Sequence, residues 1–309
     1  MTTVFHRGEI LMQVESAVDK RVEKVGNKLI RDHIIDQHKE FFESLEYVFI
    51  ALHDHKGRPW LSLMLGLPGF IDSPDDKTLN LNGSVIAQDV LGLQIGNNNS
   101  VGIVGVDLST RRRNRLNGHF NQRRREGVLS IVVEHSFGNC PKYIQRRNFK
   151  GDYKENDNRQ DGGEQPKHFT DFDDGDIKLI EHSDTLFIAS AEEQGGKLDA
   201  NHRGGKPGFV NVSGKELWFN DYPGNNFFQT FGNIHNYPCV GLMFIDFDTG
   251  DLLLLNGEAR IEKQVEAQST KFLPRRFYFT LERGLRVKCA FKGQWSSVEM
   301  SPFLKDDLI

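Results

Sequence analysis

Cysteine is scarce. Cys140, Cys239 and Cys289 are the only three in 309 residues, and no two form a C-x-x-C pair. That spacing supports neither a disulfide framework nor a structural zinc site, and reads as three reduced thiols. Long apolar runs are also missing: none reaches the roughly eighteen residues a membrane helix needs. The start, Met1-Thr-Thr-Val-Phe-His-Arg-Gly-Glu9, has no basic patch leading into an apolar h-region. The chain is therefore read as cytoplasmic, with no membrane partner. Nor is there an excess of one charge sign. The net charge is −4 with 27% charged residues, so no global attraction to nucleic acid is expected, and any anion site must be local.

Several catalytic signatures are absent as well. There is no G-x-S-x-G elbow and no Walker loop, which removes the usual routes to nucleophilic catalysis and nucleotide hydrolysis. The glycine clusters precede strand-like segments instead of opening helices, so no nicotinamide-binding fingerprint is visible. His6, His53, His55, His119, His135, His182 and His235 have no metal-ligand spacing with acidic or cysteine partners, and no metal site is expected.

What the chain does have is 23 phenylalanines, 30 glycines and 38% hydrophobic residues, a mixture suited to short strands between tight turns. It also has an internal repeat. Gly66-Leu-Pro-Gly-Phe70 recurs 139 residues later as Gly205-Lys-Pro-Gly-Phe209, and residues 101–118 align with 240–257 at the same offset. Seven of those 18 positions are identical, where about one match is expected from average residue usage. Phe49-Ile-Ala51 matches Phe187-Ile-Ala189 at an offset of 138, so one loop differs by a single residue.

Each copy reads as about six short strands. In copy two these are 186–190, 208–212, 216–219, 240–247, 252–255 and 257–261, with Ser213-Gly214-Lys215 as a hairpin turn. Lys28 to Leu45 carries a helical apolar pattern, and Asn139-Cys-Pro141 predicts a short helix running through Gln145. The polar stretch from Lys150 to Lys167 reads as a linker. The expected organisation is an N-terminal segment over 1–45, copy one over 46–149, a linker over 150–170, and copy two over 171–309 with a C-terminal extension. The fold class is mainly β: two tandem six-stranded split β-barrels forming an intrachain pseudo-dimer.

Two segments read as anion-binding from their residues. His202-Arg203-Gly204-Gly205 sets a cation beside glycines that permit close backbone approach to a phosphate; the plain alternative is an ordinary basic loop. Gly224 to Asn233 offers amides and a hydroxyl at the start of a short helix, which suits a phosphate or ribityl chain as well as a capped polar loop. The run Arg111 to Arg115 reads mainly as solvated charge, with one or two arginines, Arg113 among them, turned toward a groove between the copies.

Several longer motifs occur in order: Phe5-His6-Arg7-Gly8-Glu9, Gly57-Arg58-Pro59-Trp60 with Ser62, Asn139 to Gln145, and His202 to Phe209, followed by Asp221-Tyr222, Gly224-Asn225 and Thr230 to Asn233. With them the chain resembles the pyridoxamine 5′-phosphate oxidase-like FMN-binding split-barrel family, in the branch with two fused barrels. The resemblance implies paired barrels with flavin in the groove between them. It implies FMN as cofactor, held by His202, Arg203, Gly204, Gly205, Asn225, Asn226, Gln229, Thr230 and Asn233, with Trp60, Ser62, Arg113 and Lys142 also near it. Read from the residues alone, Trp60 is equally a core or interface aromatic, and Lys142 equally a capping residue. Because the copies have diverged at 225–230, one good flavin site is expected instead of two.

Two functions follow from the resemblance. One is an FMN-dependent oxidoreductase, with NADH, NADPH or a partner reductase delivering electrons. The other is a flavin carrier or sensor without chemistry, or the same fold holding a deazaflavin or haem. The assembly is expected to be a monomer with pseudo-twofold symmetry or a homodimer.

Overall fold

The computed structural model describes residues 3–67, 69–121, 127–150, 165–264, 275–291 and 293–304. Three helices come first: α1 (Arg7–Glu15), α2 (Asp19–Leu29) and α3 (Asp36–Glu43). The helical pattern read over Lys28 to Leu45 is therefore two helices separated by extended chain. Ile30 and Ile34 are buried there, and Arg31 pairs its backbone with Ser136, so tertiary contacts replace the helical ladder.

The first sheet contains β1 (Tyr47–His53), β2 (Pro59–Leu65), β3 (Ile71–Asp75), β4 (Thr78–Asn82), β5 (Ser100–Asp107), β6 (Arg112–Phe120) and β7 (Val128–Gly138), with the short α4 (Gln88–Leu91) between β4 and β5. After β8 (Phe149–Lys150), β9 (Lys167–Phe169) and α5 (Asp174–His182), the second sheet repeats this order. It uses β10 (Thr185–Ala191), β11 (Leu198–Gly204), β12 (Asn211–Ser213), β13 (Glu216–Asn220), β14 (Cys239–Ile245), β15 (Leu252–Lys263) and β16 (Arg275–Val287), with α6 (Gln229–Asn236) before β14. A last strand, β17 (Gln294–Trp295), pairs with β8.

The hydrogen-bonded paths are β2-β1-β5-β6-β7-β4-β3 and β11-β10-β14-β15-β16-β13-β12, which correspond strand for strand. The fold is mainly β, with two antiparallel sheets in tandem. Each path holds seven strands, one more than the six read from the sequence. Two sequence assignments differ in detail. Residues 252–255 and 257–261 are one strand, β15, bent by a bulge at Asn256/Gly257. Copy one carries the same bulge at Asn117/Gly118. Both bulges require glycine, since an added Cβ would lie 2.1 Å from Val132 O at Gly118 and 2.0 Å from Thr280 O at Gly257. The helix read over Asn139 to Gln145 is absent. The chain turns at Lys142-Tyr143 with Tyr143 in the left-handed region (φ 65°), because Tyr143 N, Gln145 and Arg146 all bond to the segment 299–301 instead of to a helical ladder.

The two barrels share a seam with pseudo-twofold symmetry. Asn117 Nδ2 donates to Leu198 O at 2.7 Å, and its counterpart Asn256 Nδ2 donates to Pro59 O, the counterpart carbonyl, at 2.9 Å. Gly102 and Gly241 sit at equivalent close approaches, where a Cβ would stand 2.9 Å from Ala200 N and 2.8 Å from Pro59 O. The largest apolar cluster runs through both copies, joining Phe49, Leu63, Ile103 and Leu116 to Phe187, Leu198, Met243 and Leu254. Of the stretch expected as linker, residues 151–164 lie outside the described residues.

Candidate functional site

On β6, Arg113 and Arg115 are two residues apart, so both side chains leave the same face of the strand. That face meets β11 and the start of α6 in the other barrel. The expectation that residues 111–115 are mainly solvated charge is corrected here. Arg112 is exposed, but Arg113 and Arg115 are buried, because this end of β6 is covered by the second barrel and by the 139–145 turn.

Arg113 Nη1 donates to both His202 Nδ1 and His202 O at 3.1 Å, and Nη2 donates to Cys140 O at 2.7 Å. Arg115 pairs with the Asp199 carboxylate, donates to Gln229 Oε1 and lies 4.9 Å over the Phe137 ring. Arg203 Nη1 reaches His202 O at 3.4 Å, its Nε is 3.7 Å from Asp221 Oδ1, and its guanidinium stands 5.8 Å from the Phe231 ring. Two guanidiniums, one from each barrel, thus meet at His202, which is 1% exposed, and Arg115 lies close enough to act on both electrostatically.

A guanidinium has no lone pair to accept with, so His202 Nδ1 must be the acceptor and the ring is neutral with its proton on Nε2. Burial, reinforced by Arg113 and Arg203, depresses the imidazole well below the ordinary histidine range, in agreement with that tautomer. His202 Nε2, Arg113 Nε and Arg203 Nε are buried and have no hydrogen-bond partner among the described residues. Each orphaned donor costs about 1–3 kcal/mol unless an acceptor arrives.

The local charge is positive. Burial lowers Arg113 only to about 10, so it remains protonated at neutral pH. Burial pushes the Asp221 carboxyl upward and the Glu9 carboxyl up to about 8, which weakens both as counter-charges. The Asp199 carboxyl faces Arg115.

Around this cluster, Asn201 Nδ2 donates to Thr230 Oγ1 at 3.1 Å and Asn233 Nδ2 to Ser190 Oγ at 2.9 Å. Asn225 Nδ2 bridges to Asn139 Oδ1 at 3.1 Å, and Tyr143 OH donates to Pro223 O at 3.2 Å beside the Tyr222 ring. Asn226 (φ 62°) and Phe228 (φ 59°) occupy left-handed backbone just before α6, a costly conformation for non-glycine residues that is held by surrounding contacts. One such contact is Gln13 Nε2 of α1 donating to Phe227 O at 3.1 Å.

The structure therefore brings together His202, Arg203, Arg113, Gln229, Thr230, Asn233, Asn225 and Asn226. Lys142 sits one residue past Pro141 in the same turn, with its Nζ 5.5 Å over the Phe303 ring. His202 and Arg203 lie within β11 and not on a loop. Gly204 ends that strand and Gly205 follows it, and their missing side chains are explained by protein neighbours: a Cβ would lie 2.0 Å from Tyr143 O and 2.3 Å from Phe209 Cγ respectively. Trp60 and Ser62 stand apart from the cluster, on β2, the counterpart of β11. Trp60 Nε1 reaches Asp54 at 3.3 Å and Ser62 Oγ donates to Ile86 O at 2.6 Å.

The pseudo-symmetric groove is apolar. The positions equivalent to Arg113, Arg115, His202 and Arg203 are Leu252, Leu254, Leu63 and Met64, all fully buried in the shared core. Sequence reasoning named Glu9 only within the N-terminal motif and Arg115 only within the arginine run, and passed over Asp199. The aligned repeat held the signal for Arg115, since an arginine facing a leucine across two copies of one strand marks a site kept in only one of them. Among the described residues, no three His, Cys, Asp or Glu side chains group as a metal site, and no helix is long and apolar enough to cross a membrane.

No family model matches the chain, and no curated protein matches it. Solved structures are similar to part of it. HupZ from Group A Streptococcus shares 16% identity over 36% of this chain and 90% of its own, with a TM-score of 0.28. General stress protein 26 from Bacillus anthracis shares 10% over 38% of this chain and 92% of its own, with a TM-score of 0.27. A protein related to general stress protein 26, of the pyridoxinephosphate oxidase family, from Clostridium acetobutylicum shares 14% over 38% and 88%, also with a TM-score of 0.27.

Proposed function

We propose that the chain binds one flavin nucleotide, FMN, in the groove between β6 of the first barrel and β11 and α6 of the second, and serves as an FMN-dependent oxidoreductase. The observation that carries this reading is the one-sided cationic cluster: Arg113, His202 and Arg203 hold buried donors without acceptors among the described residues, where the equivalent groove has Leu252, Leu63 and Met64. A phosphate monoester satisfies those donors and balances the excess positive charge. The donor set therefore fits the group that the sequence resemblance implies.

In this reading, Arg113 and Arg203 hold the phosphate, and the neutral His202 donates from Nε2. Arg115 does not touch the ligand. It braces Gln229 and Asp199, and through them the two elements that present the cluster. Asn225, Thr230 and Lys142 supply polar contacts at the mouth, and Phe227 and Phe231 of the α6 end exclude water below it. When bound, the flavin supplies the redox chemistry, and the protein supplies binding, orientation and electrostatics. Electrons arrive from NADH, NADPH or a partner reductase.

The test is the visible spectrum of the purified protein, the flavin stoichiometry, and anaerobic mixing with NADH and NADPH. One flavin per chain, bleached by a reduced nicotinamide, is the expected result. A yellow protein that no donor bleaches makes it a flavin carrier or sensor. Apoprotein that does not bind FMN overturns the reading.

A further inference from the structure

A cavity of about 490 Å³ opens between α1, α6 and the β15–β16 pair. Its size falls in the range of small-ligand pockets. Met12, Phe231, Ile234 and Ile261 give it an apolar wall, and Phe231 separates it from Arg203.

One lining residue is out of keeping with that wall. Arg275 is only 6% exposed, yet among the described residues no carboxylate reaches ion-pair distance of it. Its Nη2 donates to the neutral Ser16 Oγ at 2.7 Å, and its guanidinium lies 4.8 Å over the Phe228 ring. The other cations around the cavity are neutralised: Lys263 pairs with Glu15 at 2.9 Å, and Arg260 with both Glu216 and Glu262. Two carboxyls act on Arg275 from beyond ion-pair distance, and both are engaged elsewhere: Asp221 is shared with Arg203, and Glu15 pairs with Lys263. A buried guanidinium backed only by a hydroxyl and a ring face is costly to keep, and an anion beside it removes the cost.

We propose that this cavity is a second small-molecule site, distinct from the flavin groove, that takes a carboxylate with a compact apolar body, its carboxylate on Arg275 and its body against Phe231, Ile234 and Met12. The site does not depend on the flavin reading, since none of the orphaned donors of the cluster lines it.

The test is calorimetric titration of the full-length protein with 1-naphthoate and with uncharged 1-naphthamide. Naphthoate should bind at least tenfold more tightly than the amide, and saturating FMN should not displace it. Arg275→Gln should abolish the preference for the acid, and Ile261→Trp, which fills the cavity from a half-buried position, should weaken both ligands at least tenfold without lowering the melting temperature. Should Arg275→Gln not fold, the acid–amide comparison and Ile261→Trp carry the test. Equal affinity for the two compounds, no binding of naphthoate, binding unaffected by Ile261→Trp, or displacement by FMN each overturns the proposal.

Discussion

The rings of Phe49 and Phe187 stack with centroids 3.6 Å apart and planes 20° from parallel. They are matched residues of the two repeats, on β1 and β10, so the pseudo-twofold axis passes close to this pair and each ring is the other's counterpart. One apolar cluster joins the barrels, since the cluster that contains Phe49 also contains Phe187, Met243 and Leu254, while the second barrel keeps a further cluster around Leu186, Ile188 and Phe244.

Phe187→Ala should therefore destabilise both barrels together, by about 3–5 kcal/mol, as expected for removal of a fully buried phenylalanine. Urea unfolding followed by tryptophan fluorescence and by far-ultraviolet circular dichroism should show one coincident transition at a lower midpoint. Two separated transitions would mean that the barrels fold independently.

The seam asparagines should behave as a matched pair. Asn117→Leu leaves Leu198 O without its 2.7 Å donor, and Asn256→Leu leaves Pro59 O without its 2.9 Å donor. Each should cost about 1–3 kcal/mol, because a buried acceptor loses its partner. Thermal unfolding of the two variants side by side checks this, and a large loss in only one would break the symmetry of the seam.

Arg203→Ala should weaken FMN binding by about 2–4 kcal/mol and riboflavin binding much less, because riboflavin has no phosphate to leave unpaired. Lys39→Ala, at a half-buried surface lysine paired with Glu43, should change either affinity by only tenths of a kcal/mol. Quenching of free flavin fluorescence at two salt concentrations measures both. Equal losses for FMN and riboflavin would assign Arg203 to folding or to the ring system.

Glu9 provides a pH signature. Burial raises its carboxyl to about 8 in the folded chain, above its unfolded value, so the folded state binds the extra proton between these values. Stability from this group is thus full below the unfolded value and is lost as pH rises toward 8, with a slope of at most about 1.4 kcal/mol per pH unit. Glu9→Gln keeps an acceptor for His6 N–H, now bonded at 2.7 Å, and cannot ionise. The stability difference between Glu9→Gln and wild type should grow from pH 5 to pH 8 in the variant's favour, read by urea unfolding at each pH. A flat difference would show that Glu9 is ionised throughout.

The clearest sequence signal was the repeat. Identities at residues 101–118 and 240–257 predict two copies of one strand pattern, and the bulged pairs Asn117/Gly118 and Asn256/Gly257 fall where the alignment places them. Strand β11 was harder to read. Leu-Asp-Ala-Asn-His-Arg-Gly has little apolar alternation, since its polar side chains are buried against another barrel instead of facing solvent. The 139–145 segment was misread because capping residues predict a helix from local chemistry alone, whereas its partners lie more than 150 residues away at 299–301.

Sequence by itself determined the strand-rich character of this protein, its duplication, and the two segments around His202 and Gln229 that carry polar chemistry, because each is written in contiguous residues. Only the tertiary structure decided which groove is polar. Arg115 reads as part of a mainly solvated run until β6 is laid against β11, and Leu252 and Leu254 read as ordinary core until they prove to occupy the same places in the other groove. Burial and long-range pairing turn a run of arginines into a cationic cluster, and neither quantity exists along a single strand.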